Sequence, residues 1–165
     1  MLQSGGCAQN RRIKVFGGAY ELSIDNKGRL AIPAKFRELL TRHFRPALVA
    51  TLEKRSHLFL YPEASWHTVV AQLLQLPVAG NKVLQAYQNL LLHNADLLEL
   101  DNAGRILIPQ HLRKLITFER EVYVVGRANR IEVWGKKLWE EQNNAALDMD
   151  TEILAAELSK TQLQL

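Results

Sequence analysis

Basic side chains at a tight turn are the residues of this sequence best suited to chemistry with another molecule. In the string Asp25 to Pro33, Lys27 occupies the turn and Arg29 follows it directly. The guanidinium of an arginine is a planar fork that can bond guanine or phosphate through two N–H groups, and a lysine can reach a phosphate as a point charge. Because a two-stranded ribbon fits the major groove of DNA, this arrangement predicts contact with a nucleic acid.

Further basic residues follow the turn and widen the positive field. Lys35 and Arg37 lie on the next predicted helix, and Arg105 stands at the matching position of a second such string; all three are predicted as secondary DNA contacts. Residues 11–55 carry a net charge of +7 in a chain of net charge +4, which leaves −3 for the remainder. Such asymmetry favours a polyanionic partner, although a solvated face with uneven charge would produce the same pattern.

Several of the same residues also have a purely structural interpretation. An aspartate at the start of a turn bonds the backbone that follows it, and a glycine supplies the positive φ that a tight turn needs. We therefore assign the turns themselves to four residues, Asp25, Gly28, Asp101 and Gly104. Arg29 could equally pair with Asp25 or Asp101 inside the fold, and the sequence leaves open whether its charge is used there or on a partner.

The sequence offers no support for catalysis. Its five histidines lack metal-ligand spacing, no glycine-rich loop lies between a strand and a helix, and Cys7 has no nearby group that could activate it. No apolar run is long enough to span a bilayer, and a lone cysteine is typical of a reducing compartment. We therefore predict a cytoplasmic, non-enzymatic protein with no cofactor, no metal, no membrane association and no small-molecule substrate.

The basic turn belongs to a unit that occurs twice. Residues 24–33 match residues 100–109 at an offset of 76, and after a gap the match resumes at an offset of 73, with Val49 opposite Val122. Alternating apolar residues predict a strand before each turn, and the proline after the return strand fits the first position of a helix. Each unit is thus predicted as a strand, a hairpin turn, a return strand, a short helix and two closing strands.

The predicted elements divide the chain into five parts. They are an N-terminal extension predicted to be disordered (1–15), a first module (19–65), a helical connector (66–93), a second module (94–137) and a helical tail (138–165). The connector is amphipathic and is broken near Pro77 into two pieces. A unit of ~45 residues buries too little surface to be stable alone. We therefore expect an α+β, β-rich fold in which the two modules pack as one pseudo-symmetric barrel with short helices.

The duplicated string has a counterpart in a known module. Asp25-Asn26-Lys27-Gly28-Arg29-Leu30-Ala31-Ile32-Pro33, repeated as Asp101 to Pro109, resembles the SpoVT-AbrB swapped-hairpin DNA-binding module. A tandem pair of this spacing is similar to the MraZ family of bacterial transcriptional regulators, and the resemblance runs from about Phe16 to Trp139. It implies interlocked hairpins, a homo-oligomeric ring and association with the nucleoid. It also implies repression through short direct repeats of double-stranded DNA upstream of the protein's own operon, the division and cell-wall gene cluster.

Two departures from that family pattern bear on function. Residues 1–14 precede the point at which the family's chains usually begin, and Ala103 replaces the lysine of the first turn, so the two repeats are not expected to contact DNA equally. Two other functions stay open. The module could act like an antitoxin, with its apolar C-terminal helix bound to a protein partner, or the chain could be a structural oligomer whose positive charge is incidental.

Overall fold

The computed structural model describes residues 15–163, which contain eight strands and six helices. The strands are β1 (Phe16–Ser23), β2 (Arg29–Ala31), β3 (Ala47–Lys54), β4 (His57–Pro62), β5 (Asp96–Glu99), β6 (Arg105–Leu107), β7 (Glu121–Ala128) and β8 (Arg130–Gly135). The helices are α1 (Ala34–His43), α2 (Glu63–Leu74), α3 (Lys82–His93), α4 (Gln110–Leu115), α5 (Lys136–Leu147) and α6 (Thr151–Leu158). The predicted N-terminal extension lies outside the described residues except for its last residue.

The two repeats exchange strands. The larger sheet is antiparallel with the order β1-β7-β8-β4-β3-β5, and a separate two-stranded sheet pairs β2 with β6. Strand β1 thus leaves its own repeat and pairs with β7, whereas β5 of the second repeat pairs with β3 of the first. At the centre β4 pairs with β8, and Phe59 lies directly opposite Glu132. Because these two residues occupy matching positions in the repeats, an approximate two-fold axis passes between them.

The main hydrophobic core lies between the two sheets and includes side chains of α1 and α4. Alternate residues of each strand point into it, as the period of a half-buried strand requires. Its fully buried members come from both sheets and both helices, among them Leu30, Phe36, Leu58, Ile106, Leu112 and Ile131. Burial of each such side chain contributes about 1.5–3 kcal/mol. Since both repeats supply these residues, the core belongs to neither repeat alone.

A second apolar cluster covers the opposite face of the first repeat's strands. Trp66 and Leu73 of α2 and Leu91 of α3 pack with the strand residues Val49, Phe59 and Tyr61. The two helices are separated around Pro77, as predicted, and the side chain of Asn81 caps α3 by accepting N–H bonds from Val83 and Leu84 at 3.1 Å. The connector therefore forms a helical layer on the sheet.

The second repeat lacks a helical layer of the same extent. Trp139 of α5 stacks on Tyr123 of β7, with ring centroids 4.0 Å apart. No residue of α6 is buried, and apolar side chains near it, including Leu147 and Ile153, are exposed. The chain after β8 thus forms two helices, and only the first of them packs on the sheet.

A buried carboxylate marks the centre of the large sheet. Glu132 is 2% exposed and accepts hydrogen bonds from Nε of Arg130 and from Nε1 of Trp134, each at 2.8 Å. The Arg130 guanidinium also lies 4.4 Å from the ring centroid of Phe59, the residue that matches Glu132 in the first repeat. A charged residue is tolerated here because its oxygens are bonded on both sides.

The predicted barrel is wrong, and the two strands that flank each turn do not pair with each other. Among the described residues the outer strands β1 and β5 do not pair with each other, so the large sheet stays open instead of closing into a barrel. The chain leaves each edge strand at a turn and continues into the separate β2–β6 sheet. For the same reason the strands flanking a turn do not form a hairpin ladder, since β2 pairs with β6 and not with β1.

Two finer predictions are shifted by one residue. Val49 was predicted to match Val122 in the other repeat. Strand β3 has a bulge of one residue between Thr51 and Lys54, which shifts the residues before it. Leu48, and not Val49, therefore occupies the buried position that Val122 has in the second repeat. Pro33 has φ −50° and ψ 139° and precedes α1 as its cap, and Pro109 precedes α4 in the same way. A proline is equally suited to the cap, because its missing N–H would have had no helical partner there.

Candidate nucleic-acid interface

Each basic turn is built around an aspartate. Oδ1 of Asp25 accepts the backbone N–H of Lys27 at 2.9 Å and that of Arg29 at 2.8 Å. The N–H of Gly28 donates to the Asp25 carbonyl at 2.9 Å, and Gly28 has φ +84°. Bonds from the Arg29 backbone and guanidinium and from the Lys27 backbone lower the pKa of Asp25 to about 2, from an ordinary 3.8. Asp25 and Gly28 therefore hold the turn in place.

The second turn repeats this geometry. Oδ1 of Asp101 accepts the backbone N–H groups of Ala103 and Arg105 at 2.9 Å, and Gly104 has φ +73°. The backbone N–H of Arg105, followed by its guanidinium, lowers the pKa of Asp101. The turn does not need the lysine of the first repeat, because the position is exposed and only its backbone is bonded.

The arginines after the turns are each anchored to the aspartate of their own turn. Nε of Arg29 donates to Oδ2 of Asp25 at 2.6 Å, and Nε of Arg105 donates to Oδ2 of Asp101 at 2.9 Å. The two arginine side chains are still 33% and 35% exposed. Within residues 15–163 their Nη groups have no hydrogen-bond acceptor. The ion pair that the sequence left open therefore exists, and it orients the guanidinium without using the outer end of the fork.

The β2–β6 ribbon places both arginines on one face. Leu30 and Ile106 pair with each other and point into the core, whereas Arg29 lies opposite Leu107 and Arg105 lies opposite Ala31 on the outer face. A strand rise of ~3.4 Å and a strand spacing of ~4.8 Å place the two arginine Cα atoms roughly 8 Å apart along a diagonal. The outer face of the ribbon thus presents two oriented guanidinium groups, one near each end.

The remaining predicted contacts are placed less directly. Lys27 is exposed at the first turn, where the second turn has Ala103. Lys35 is exposed on α1, and its Nζ donates to the carbonyl of Gly17 at 3.3 Å. The Nε of Arg37 is buried without a hydrogen-bond partner in the described structure, and its guanidinium lies against Gly104. The structure thus brings Lys27, Arg29 and Arg105 to the ribbon and holds Lys35 and Arg37 against neighbouring backbone.

One residue at the turns was missed in the sequence. Arg113 of α4 lies against Gly28, just as Arg37 of α1 lies against Gly104. The available signal was that Arg37 and Arg113 match each other at the offset of 76 that relates the two turns. Alternation and spacing could not reveal that each arginine reaches the turn of the other repeat.

Other chemistry finds little support in the described residues. A cavity of about 730 Å³ is lined by the segment Thr117–Glu121 and the start of α5, and none of its residues belongs to the ribbon. No group of three or more histidine, cysteine or acidic residues in the described chain could hold a metal ion. None of the helices described is long and apolar enough to cross a membrane.

The fold and the ribbon define an α+β protein of two repeats that exchange strands within one chain. The family model described as MraZ protein, antitoxin-like, matches residues 15–82 and 91–160, and the chain belongs to this family. A Neisseria gonorrhoeae protein named transcriptional regulator MraZ is 60% identical over 151 residues, which is 92% of this chain and all of the relative. Proteins of the same name from Chromobacterium violaceum and Lachnoclostridium phytofermentans are 49% and 38% identical, covering 87% and 81% of this chain and 97% and 91% of their own.

These matches confirm three predictions from the sequence. The family is the one that the duplicated turn resembled, the chain carries two repeats of it, and the family is not one of enzymes. The predicted limits of the modules, the connector and the tail stay predictions. The interpretation of residues 1–14 lies outside the described residues.

Proposed function

We propose that this protein is a sequence-specific DNA-binding transcriptional regulator that acts as a repressor. The observation that carries the proposal is the placement of Arg29 and Arg105 on one exposed face of the β2–β6 ribbon, each oriented by an aspartate. The relatives are named transcriptional regulators, which supports the same role for this chain. Its target is the short direct repeats upstream of its own operon, the division and cell-wall gene cluster, and it acts in the cytoplasm in association with the nucleoid.

The contacts divide between affinity and discrimination. Phosphate contacts supply most of the affinity of a DNA-binding protein, and contacts to base edges supply its sequence preference. Lys27, exposed at the first turn, is the phosphate contact, and the outer fork of Arg29 reads a base, with Arg105 and Lys35 in support. Because the second turn has Ala103, the first repeat makes the larger electrostatic contribution.

The regulator works as a homo-oligomeric ring. A single ribbon of three-residue strands offers few contacts, so one subunit alone would bind DNA weakly. Several ribbons on one ring bind repeated DNA boxes together, and each further contact becomes intramolecular once the first has formed. The open sheet edges at β1 and β5 and the exposed apolar side chains near α6 supply surface for contacts between subunits.

The test is binding of the purified protein to the DNA upstream of its own gene and to a scrambled duplex, across a series of salt concentrations. We expect preference for the native DNA, with affinity falling steeply as salt rises. The logarithm of the binding constant should fall against the logarithm of the salt concentration with a slope of about 0.9 for each phosphate contacted. Equal and weak binding to both duplexes would favour the structural oligomer with incidental charge.

Arg29→Ala is the variant that tests the assigned contact. It should abolish the preference for native DNA while the oligomer persists, since a bidentate base contact is worth about 1–3 kcal/mol of discrimination at each site. Arg42→Ala is its matched control, because it also removes one positive charge but Arg42 pairs with Glu38 on the exposed face of α1. Normal preference in Arg29→Ala would show that Arg29 does not read the DNA.

A second candidate function is an antitoxin-like role with a protein partner. It is favoured by the description of the family and by the exposed apolar side chains of α6, Ile153 and Leu154. Deletion of residues 148–163 would distinguish the two roles. Loss of a stoichiometric small protein that co-purifies with the intact chain would support the antitoxin-like role. Preference of the intact chain for native DNA, with no co-purifying protein, would support the regulator.

A further inference from the structure

Each turn glycine lies against an arginine that belongs to the other repeat. A side-chain carbon placed on Gly28 would lie 2.7 Å from Cζ of Arg113, and one placed on Gly104 would lie 2.9 Å from Cζ of Arg37. Carbon atoms in favourable contact are ~3.5–4.0 Å apart. The arginine therefore occupies the space in which any other residue at the turn would carry its side chain.

The exchange is reciprocal and involves backbone as well as side chains. The N–H of Ile108 donates to the Gly28 carbonyl at 2.9 Å, and the N–H of Ile32 donates to the Gly104 carbonyl at 3.0 Å. Each turn is thus bonded by the backbone that leads into the other repeat's helix, and it is then covered by an arginine of that helix. The first turn depends on α4 and the second turn depends on α1.

The Nε end of the Arg37 guanidinium is packed inside the protein. The Arg37 Nε is shielded from solvent and has no hydrogen-bond partner in the described residues, and its Cζ lies beside the Gly104 turn. Shielding an unbonded polar atom is costly, so it must be offset by the contact that Arg37 makes with the Gly104 turn.

We propose that Arg37 and Arg113 are positioning residues that brace the DNA-contacting turns across the two repeats. Arg113 fixes the turn that carries Lys27 and Arg29, and Arg37 fixes the turn that precedes Arg105. This reassigns Arg37, predicted from the sequence as a DNA contact, and gives Arg113 a role. The brace itself is a property of the free protein, and only its effect on DNA rests on the proposed function.

Hydrogen–deuterium exchange of the free protein tests the brace directly. Arg113→Lys keeps the charge but replaces the flat guanidinium with a smaller ammonium group. We expect the amides of residues 25–30 to exchange about fivefold faster, as for the loss of a contact of ordinary strength, while residues 101–106 keep their rate. Arg37→Lys should give the mirror result.

The two variants serve as controls for each other. A general loss of stability would speed exchange at both turns and through the core strands, and this outcome would overturn the cross-repeat brace. Faster exchange at the turn of the variant's own repeat, or unchanged exchange at both turns, would overturn it as well. Faster exchange confined to the opposite turn in both variants supports it.

Binding to the native upstream DNA then tests the consequence of the brace. Arg113→Lys should weaken binding severalfold in the native protein and cause no further loss in a background that carries both Lys27→Ala and Arg29→Ala, because it acts through the turn that holds those two residues. In an Arg105→Ala background its effect should persist in full. An equal loss in all three backgrounds would make Arg113 an independent DNA contact and overturn the assignment. If Arg29→Ala itself binds normally, the proposed function fails, while the exchange experiment still decides whether the brace exists.

Discussion

Alanine at the first turn should destabilise the protein about twice as much as alanine at another glycine of similar backbone conformation. Gly28 and Gly80 both have positive φ, +84° and +73°. The left-handed region costs a residue with a side chain about 1 kcal/mol. At Gly80 nothing lies within 4 Å of the added carbon, so this strain is the whole cost. At Gly28 the carbon must also displace Arg113, which adds about 1 kcal/mol of lost contact.

The assay is thermal unfolding followed by circular dichroism at one fixed protein concentration. For a chain of this size about 1 kcal/mol corresponds to a shift of about 2–4 °C in Tm, so we expect losses of about 2–4 °C for Gly80→Ala and 4–8 °C for Gly28→Ala. Gly17→Ala is the control variant, because Gly17 does not have positive φ and an added carbon there meets nothing within 4 Å. Equal losses for Gly28→Ala and Gly80→Ala would refute the contact between Arg113 and the turn.

Two further predictions concern single carboxylates. The folded-state pKa of Asp25 is lowered to about 2, so its stabilising effect is present above its ordinary pKa of 3.8 and is lost as the pH falls through about 2. The measurement is titration of the Asp25 carboxyl followed by NMR. A midpoint near 3.8 would contradict the bonded turn. Glu132→Ala leaves Arg130 and the Trp134 N–H without their acceptor. It should lower the free energy of unfolding, measured by urea denaturation, by about 3–5 kcal/mol. A loss below about 1 kcal/mol would mean that the buried carboxylate is dispensable.

The local elements of this fold could be predicted from the sequence, and their pairing could not. Alternation of apolar residues located the strands, and the aspartate and glycine of each turn marked where the chain reverses. Alternation assigns a residue to a face of a strand but does not name the neighbouring strand. The exchange of β1 and β5 between repeats therefore could not be derived from residue pattern, and only the resemblance implied interlocked hairpins. The one-residue bulge in β3 shifted the match at Val49 for a similar reason, since insertions within a strand leave no compositional mark.

The candidate site was predicted in part. The turn residues and Arg29 could be identified because their types have direct roles in turn geometry and anion recognition. The contact between Arg113 and Gly28 joins residues of different repeats, and no local pattern encodes it. Arg37 was assigned to DNA on charge alone, which does not distinguish a guanidinium extended into solvent from one packed against a turn. Burial of its Nε favours packing against the turn, which is the basis of the proposed brace.

The covalent joining of two unequal halves gives the ribbon a direction. A symmetric pair of identical chains would present the same turn at both ends and would suit an inverted repeat. Here one end carries Lys27 and the other carries Ala103, so rotating the ribbon by half a turn does not reproduce it. A protein with such a head and tail, when it binds DNA as proposed, distinguishes one orientation of its site from the other. Copies arranged head to tail would then match boxes that all point the same way along the promoter.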